Sequence, residues 1–244
     1  RELYCWGDNR DGQLTDSLAA APANTPQRVT FPVNGSVEAV ALSDRHGCAQ
    51  IVKPGSEYET YCWGAHDVGQ LGLGDAQGAS VTAPTRVGQM SINGTITGLP
   101  RLAALAAGAQ HTCAMLPDNA PIGGGDGICW GRSANGRLGT GQDGIARFST
   151  AQPSFDFAAL DWESLALGEQ HGCVASEDAL WCWGSNLHGE RGGGGATSQE
   201  LAPEELSIPS PLGELSAGTH HTCGLDANNN VTCWGLSAEK QSGN

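Results

Sequence analysis

His171-Gly-Cys173-Val-Ala-Ser-Glu-Asp-Ala-Leu-Trp-Cys182-Trp183-Gly184 reads as a β-hairpin. Setting Cys173 opposite Cys182 places Val174 against Trp181, Ala175 against Leu180 and Ser176 against Ala179. Glu177-Asp178 is then left as a two-residue loop, a favoured hairpin length. Directly opposed residues at a non-hydrogen-bonded position stand about 4.5 Å apart, within disulfide reach. Successive side chains on a strand point to opposite faces. Cys182 and Trp183 therefore divide the two faces of the sheet, and His171 shares a face with Cys173. The same folding of Cys223 onto Cys233 leaves Ala227-Asn228-Asn229 as a three-residue loop, where Asn tolerates the left-handed backbone required.

The hairpin belongs to a repeat. Cys-Trp-Gly occurs five times, at Cys5, Cys62, Cys129, Cys182 and Cys233, and His-x-Cys four times, at His46, His111, His171 and His221. All nine cysteines fall in these two motifs. Ahead of each His-x-Cys runs an apolar-x-x-apolar segment ending in Gly or Ser: Val37 to Ser43, Leu102 to Gly108, Trp162 to Gly168 and Leu212 to Gly218. After four intervening residues a Cys-Trp-Gly is followed by another Gly (Gly12, Gly69, Gly136, Gly189), then in three copies by Gln13-Leu14, Gln70-Leu71 and Arg137-Leu138. Successive Cys-Trp-Gly motifs stand 57, 67, 53 and 51 residues apart. A period near 50 with short strands, glycine turns and one Trp per unit predicts the blades of an all-β propeller. The units run over 1–59, 60–126, 127–179 and 180–230, with a partial unit at 231–244, in a single domain spanning 1–244.

These motifs, with Gly69-Gln-Leu-Gly72, Gly108-Ala-Gln-His-Thr112 and Gly218-Thr-His-His-Thr222, closely resemble the RCC1 repeat (regulator of chromosome condensation type). The resemblance covers essentially the whole chain. The paired cysteines match the Cys-containing RCC1-like repeats of exported bacterial proteins. Membership implies a propeller, commonly of seven blades, and fixes no function, since the family holds exchange factors, enzyme inhibitors and binding modules. About four full blades plus partial ones are expected here, as a closed ring, an open arc or an assembly with a second chain.

Hairpin geometry pairs Cys48–Cys62, Cys113–Cys129, Cys173–Cys182 and Cys223–Cys233. Zinc is the competitor, but zinc sites favour four ligands and closely spaced Cys pairs, which this chain lacks. No metal or cofactor is expected on these grounds. Cys5 has no His-x-Cys partner. A further repeat upstream, a bond to another chain or a free thiol would each account for it, the first making the chain a fragment. The regularly spaced cysteines point to an oxidising compartment, so a secreted or periplasmic protein whose targeting segment has been removed.

Twenty-six acidic against twelve basic residues give a net charge of −14. Nucleic acids and anionic membranes are bound through clustered Lys and Arg, so both are excluded as partners. No apolar run is long enough for membrane insertion. Departures from the repeat mark the candidate binding loops: His66, Asp67, His188, Glu190 and Arg191. No nucleophile–base pair stands out. His66 with Asp67, or His188 with Glu190, would have to serve a lyase or hydrolase, and Asp75 or Asp143 a metal-assisted one. Asn34, Asn93 and Asn230 head Asn-x-Ser/Thr glycosylation sequons. The expected role is a non-enzymatic extracellular module binding a protein or glycan, ahead of an inhibitor of a secreted enzyme and of an enzyme with an unrecognised site.

Overall fold

The computed structural model describes residues 1–14, 21–74, 80–88, 90–92, 95–120, 126–142, 147–156, 162–176, 179–194, 198–207 and 212–241. Asp75, Asp143, Asn93 and the Glu177-Asp178 loop lie outside them. The fold is all-β; among the described residues the one helical element is a 3-10 turn at Ala134–Gly136. No described helix is long and apolar enough to cross a membrane.

Tyr4–Gly7 (β1) pairs with Ala23–Arg28 (β2). Ser36–Leu42 (β3), His46–Lys53 (β4), Glu57–Ala65 (β5) and Ser80–Arg86 (β6) form the first four-stranded antiparallel sheet, in chain order. A short hairpin of Met90–Ile92 (β7) and Thr95–Thr97 (β8) follows, within the longest spacing between Cys-Trp-Gly motifs. Ala104–Ala107 (β9), His111–Met115 (β10), Asp126–Arg132 (β11) and Arg147–Asp156 (β12) make the second sheet. Trp162–Leu167 (β13), His171–Ser176 (β14), Leu180–Ser185 (β15) and Gln199–Leu206 (β16) make the third. Leu212–Ala217 (β17), His221–Asp226 (β18) and Val231–Gly235 (β19) form a three-stranded fourth. The first strands β3, β9, β13 and β17 neighbour one another in that order. The sheets therefore radiate from a shared axis as propeller blades. Each blade takes its His-x-Cys strand from one sequence unit and its Cys-Trp-Gly strand from the next.

Register follows the motifs. Val174 faces Trp181 and Ala175 faces Leu180 across β14 and β15. At the tip of β18–β19, Asn229 adopts a positive φ of 62° and the Asp226 carboxylate accepts the Asn228 and Asn230 amides. Four disulfides join directly opposed residues: Cys48–Cys62, Cys113–Cys129, Cys173–Cys182 and Cys223–Cys233, with Cα separations of 4.1–4.2 Å. Cys5 is buried and free, and burial pushes its thiol pKa up.

The glycine of Cys-Trp-Gly is a backbone requirement. Gly64, Gly131 and Gly184 have φ of 103°, 108° and 88°, and each sits where the ladder to the next strand shifts register. A Cβ there would meet the carbonyl of Arg45, Gln110 or Gln170 at 2.3–2.5 Å. Only glycine admits both the conformation and the approach.

Stacking the blades puts the cysteine face of one sheet against the tryptophan face of the next. Trp63 packs with Cys5 and Leu14, Trp130 with Cys48, Cys62 and Leu71, and Trp183 with Cys113, Cys129 and Leu138. Each indole Nε1 donates to a carbonyl of the preceding blade: Trp63 to Gln13, Trp130 to Gln70 and Trp183 to Arg137, at 2.9–3.0 Å. The repeated Trp is thus an inter-blade anchor that keeps its polar atom satisfied on burial.

Candidate functional site

In each blade the turn between first and second strands ends at the axis. Leu42 to Arg45, Ala107 to Gln110, Leu167 to Glu169 and Ala217 to Thr219, with Arg132, line a central cleft of about 690 Å³. Beneath the turns lie His46, His111 and His171, all buried. His46 Nε2 lies 2.8 Å from Thr112 Oγ1, whose hydroxyl donates to the Gln70 carbonyl. That hydroxyl has one proton, so His46 donates from Nε2, leaving Nδ1 to accept from Ser43. His171, Thr222 and the Glu190 carbonyl repeat the arrangement. His111 makes no side-chain hydrogen bond among the described residues, and the sequence column that supplies Thr112 and Thr222 carries Gly172 at the corresponding place. Burial, with the nearby Arg45 charge, pushes His46 down to about 3, and burial pushes His171 down to about 4. His46 and His171 are neutral structural pins, and burial holds His111 neutral in the same row.

A second ring of loops, following the Cys-Trp-Gly strands, forms the rim. In three of them one side chain accepts the amide five residues on: Asn9 from Leu14, His66 from Leu71 and Asn186 from Arg191. His66 is buried in this bracing role, its Nε2 donating to the Gly74 carbonyl. Asp67 accepts from Arg45 at 3.2 Å and from Gln70 at 2.8 Å. Burial alone would raise its pKa, but these two donors hold it below the usual carboxylate value. Arg45 also grips Asp11 through Nε and Nη2 at 2.9 and 3.0 Å, so its guanidinium stays charged.

The five candidate residues divide into two groups two blades apart. His66 and Asp67 stand at the first blade. His188, Glu190 and Arg191 stand at the third. Arg191 occupies the place of Leu14, Leu71 and Leu138; it is buried and donates to Glu204 at 2.7 Å. His188 and Glu190 meet a residue sequence reasoning missed, His220, which follows the fourth cleft turn. Aligning its column (Arg45, Gln110, Gln170, His220) against the rim loops would have found it.

The RCC1 repeat model (regulator of chromosome condensation) matches residues 2–50 and 59–115, and a second model of the same description matches 214–241, together more than half of the chain. The chain belongs to the RCC1 repeat family. It is 28% identical over 99% of its length to the ultraviolet-B receptor UVR8 of Arabidopsis thaliana, of which it covers 50%. It is 26% identical over its full length to the probable E3 ubiquitin-protein ligase HERC6 of Homo sapiens, of which it covers 22%. Among solved structures it superposes on yeast RCC1 (Prp20), crystallised with Kap60, with a TM-score of 0.78 at 18% identity, over 97% of this chain and 52% of that one. This RCC1-repeat chain thus spans about half the length, or less, of these relatives.

Proposed function

We propose that this RCC1-repeat chain is a non-enzymatic interaction module of an extracytoplasmic protein, receiving a protein partner at its central cleft. One observation carries the reading. The four cleft turns share one backbone position in the repeat yet carry different polar tips: Asp44-Arg45, Ala109-Gln110, Glu169-Gln170 and Thr219-His220. Beneath them the pinned histidines, anchored indoles and disulfides hold the scaffold fixed. Rigid support under variable loops suits recognition. Prp20p from Saccharomyces cerevisiae, a protein of this fold, has binding properties to Gsp1p and histones, a protein-partner precedent. Four disulfides favour an oxidising compartment, and the charge of −14 favours a basic partner.

The test immobilises the oxidised protein and captures partners from the extracellular medium of its source, with cross-linking to map contacts. Gln110→Arg and Asp44→Arg, which place like charge in the cleft against a basic partner, should weaken capture about tenfold. Lys53→Ala, at the far end of β4 from the cleft, should leave it unchanged. Capture indifferent to the cleft substitutions, or equally strong after disulfide reduction, would remove the proposal.

A further inference from the structure

His188, Glu190 and His220 each bring one ligand atom within 4.8 Å of the others, where the third blade's rim loop meets the fourth blade's cleft turn. The corresponding trios at the earlier junctions are Asp11, Gln13 and Arg45; then Val68, Gln70 and Gln110; then Asn135, Arg137 and Gln170. Only the third-to-fourth junction joins three metal-ligating side chains, and all three differ from their counterparts.

The substitution of Glu for Gln carries the argument. Gln13 Oε1 accepts the Asp11 amide while Nε2 donates to the Asp44 carbonyl on the next blade. Glu190 keeps the bracing half of this pattern: Oε2 accepts the His188 amide at 2.7 Å. In place of the donor it presents a second acceptor, Oε1, which takes the Ser185 hydroxyl at 3.1 Å and lies 4.0 Å from His220 Nδ1. The carboxylate is only 1% exposed. A buried, fixed acceptor where the repeat uses a donor calls for a cation.

The imidazoles supply the rest. The His188 and His220 ring centroids stand 4.8 Å apart. His220 Nε2 lies 3.4 Å from Glu169 Oε2. With Nε2–H donating to the Glu169 carboxylate, Nδ1 keeps its lone pair on the Glu190 side, the carboxylate–histidine arrangement that orients ligating histidines. A tetrahedral site with bonds of roughly 2.1 Å has edges of about 3.4 Å. The Glu190–His220 separation of 4.0 Å and the 4.8 Å span of the trio exceed that edge, so binding requires rotation of the His220 ring as well as of the exposed His188 side chain.

We propose that His188, Glu190 and His220 bind a zinc-class divalent cation, with Glu169 as the positioning residue that fixes the His220 tautomer. Two nitrogens and one carboxylate select Zn²⁺ over Ca²⁺ or Mg²⁺. Three protein ligands leave a fourth position for water beside the cleft rim.

The test is calorimetric titration of the metal-free, oxidised full chain with Zn²⁺, in a Cys5→Ala background so that no thiol competes. One Zn²⁺ should bind per chain, raising the melting temperature. His188→Ala should weaken binding at least tenfold while leaving the metal-free melting temperature unchanged, because the side chain is exposed. His220→Ala should do the same to affinity. Glu169→Gln should weaken binding about tenfold and shift the visible absorption of the Co²⁺-substituted protein. No stoichiometric binding, or binding unaltered by His188→Ala, overturns the site. Unaltered affinity and spectrum in Glu169→Gln overturn the positioning role.

Discussion

A histidine two residues before a cysteine in every repeat invites a catalytic reading, but the surroundings of each decide otherwise. His46, His111 and His171 are buried under the cleft turns and held neutral, with pKa values pushed to about 3 for His46, well below normal for His111 and to about 4 for His171, chiefly by burial. An unfolded histidine titrates near 6.5. As pH falls through that value the unfolded chain takes up protons that the folded chain refuses. The stabilisation is therefore complete above about pH 6.5 and is lost on the way down towards the folded values. Each histidine contributes up to about 1.4 kcal/mol per pH unit. The urea midpoint should drop steeply between pH 6.5 and 5, above the range where ordinary carboxylates titrate, and His46→Gln should flatten the slope. A constant midpoint across that window would contradict the neutral-pin assignment. Spacing alone revealed the repetition of these residues and their shared face with Cys. It gave no sign that His66 braces a loop, because its partners are the Leu71 amide and Gly74 carbonyl, and backbone groups leave no trace in side-chain patterns.

The hairpin was the most legible element, because its determinants are local: two cysteines, alternation and a short loop settle which residues oppose one another. The sheet boundary was less legible. The sequence repeat is punctuated by Cys-Trp-Gly, whereas the sheet starts at the apolar run before His-x-Cys, so unit and blade are out of phase. Disulfide energetics belong to this scale. Cys223 and Cys233 are half-buried and ten residues apart. Replacing both by Ala should cost roughly 2–3 kcal/mol, the loop-closure entropy of such a span. Cys173 and Cys182 close a similar loop of nine but are fully buried against the fourth blade. Their double replacement adds a cavity and should cost more. Equilibrium urea unfolding of the two double variants checks the order. Equal losses would mean that the bond matters only to the unfolded chain.

Across the whole molecule, each blade is held by what it stacks against, so stability should vary from blade to blade with burial. The strands β14 and β15 are almost wholly buried, and Trp183 is sealed with its indole N–H bonded to Arg137. The equivalent β18 and β19 are largely half-exposed or exposed. Trp234 is only partly buried, and its Nε1 has no hydrogen-bond partner among the described residues. The loop beneath it departs from the repeat. Where the other junctions offer Gln-Leu or Arg-Leu, the third blade offers Glu190-Arg191, whose carbonyl and side chains are engaged by Thr222, Ser185 and Glu204. The seam whose loop departs furthest from the repeat therefore lies beside the most exposed of the four disulfide-bonded hairpins, and thinly packed elements of this kind open first. Native-state amide exchange should find β18 and β19 opening at lower free energy than β14 and β15. If Zn²⁺ binds as proposed, it bridges the rim loop of one blade and the cleft turn of the next. The cation should then raise protection in β18 more than in β10, whose junction holds no ligands. Uniform protection along the chain, with or without the cation, would show that the blades open as one unit and that the seam has no mechanical meaning.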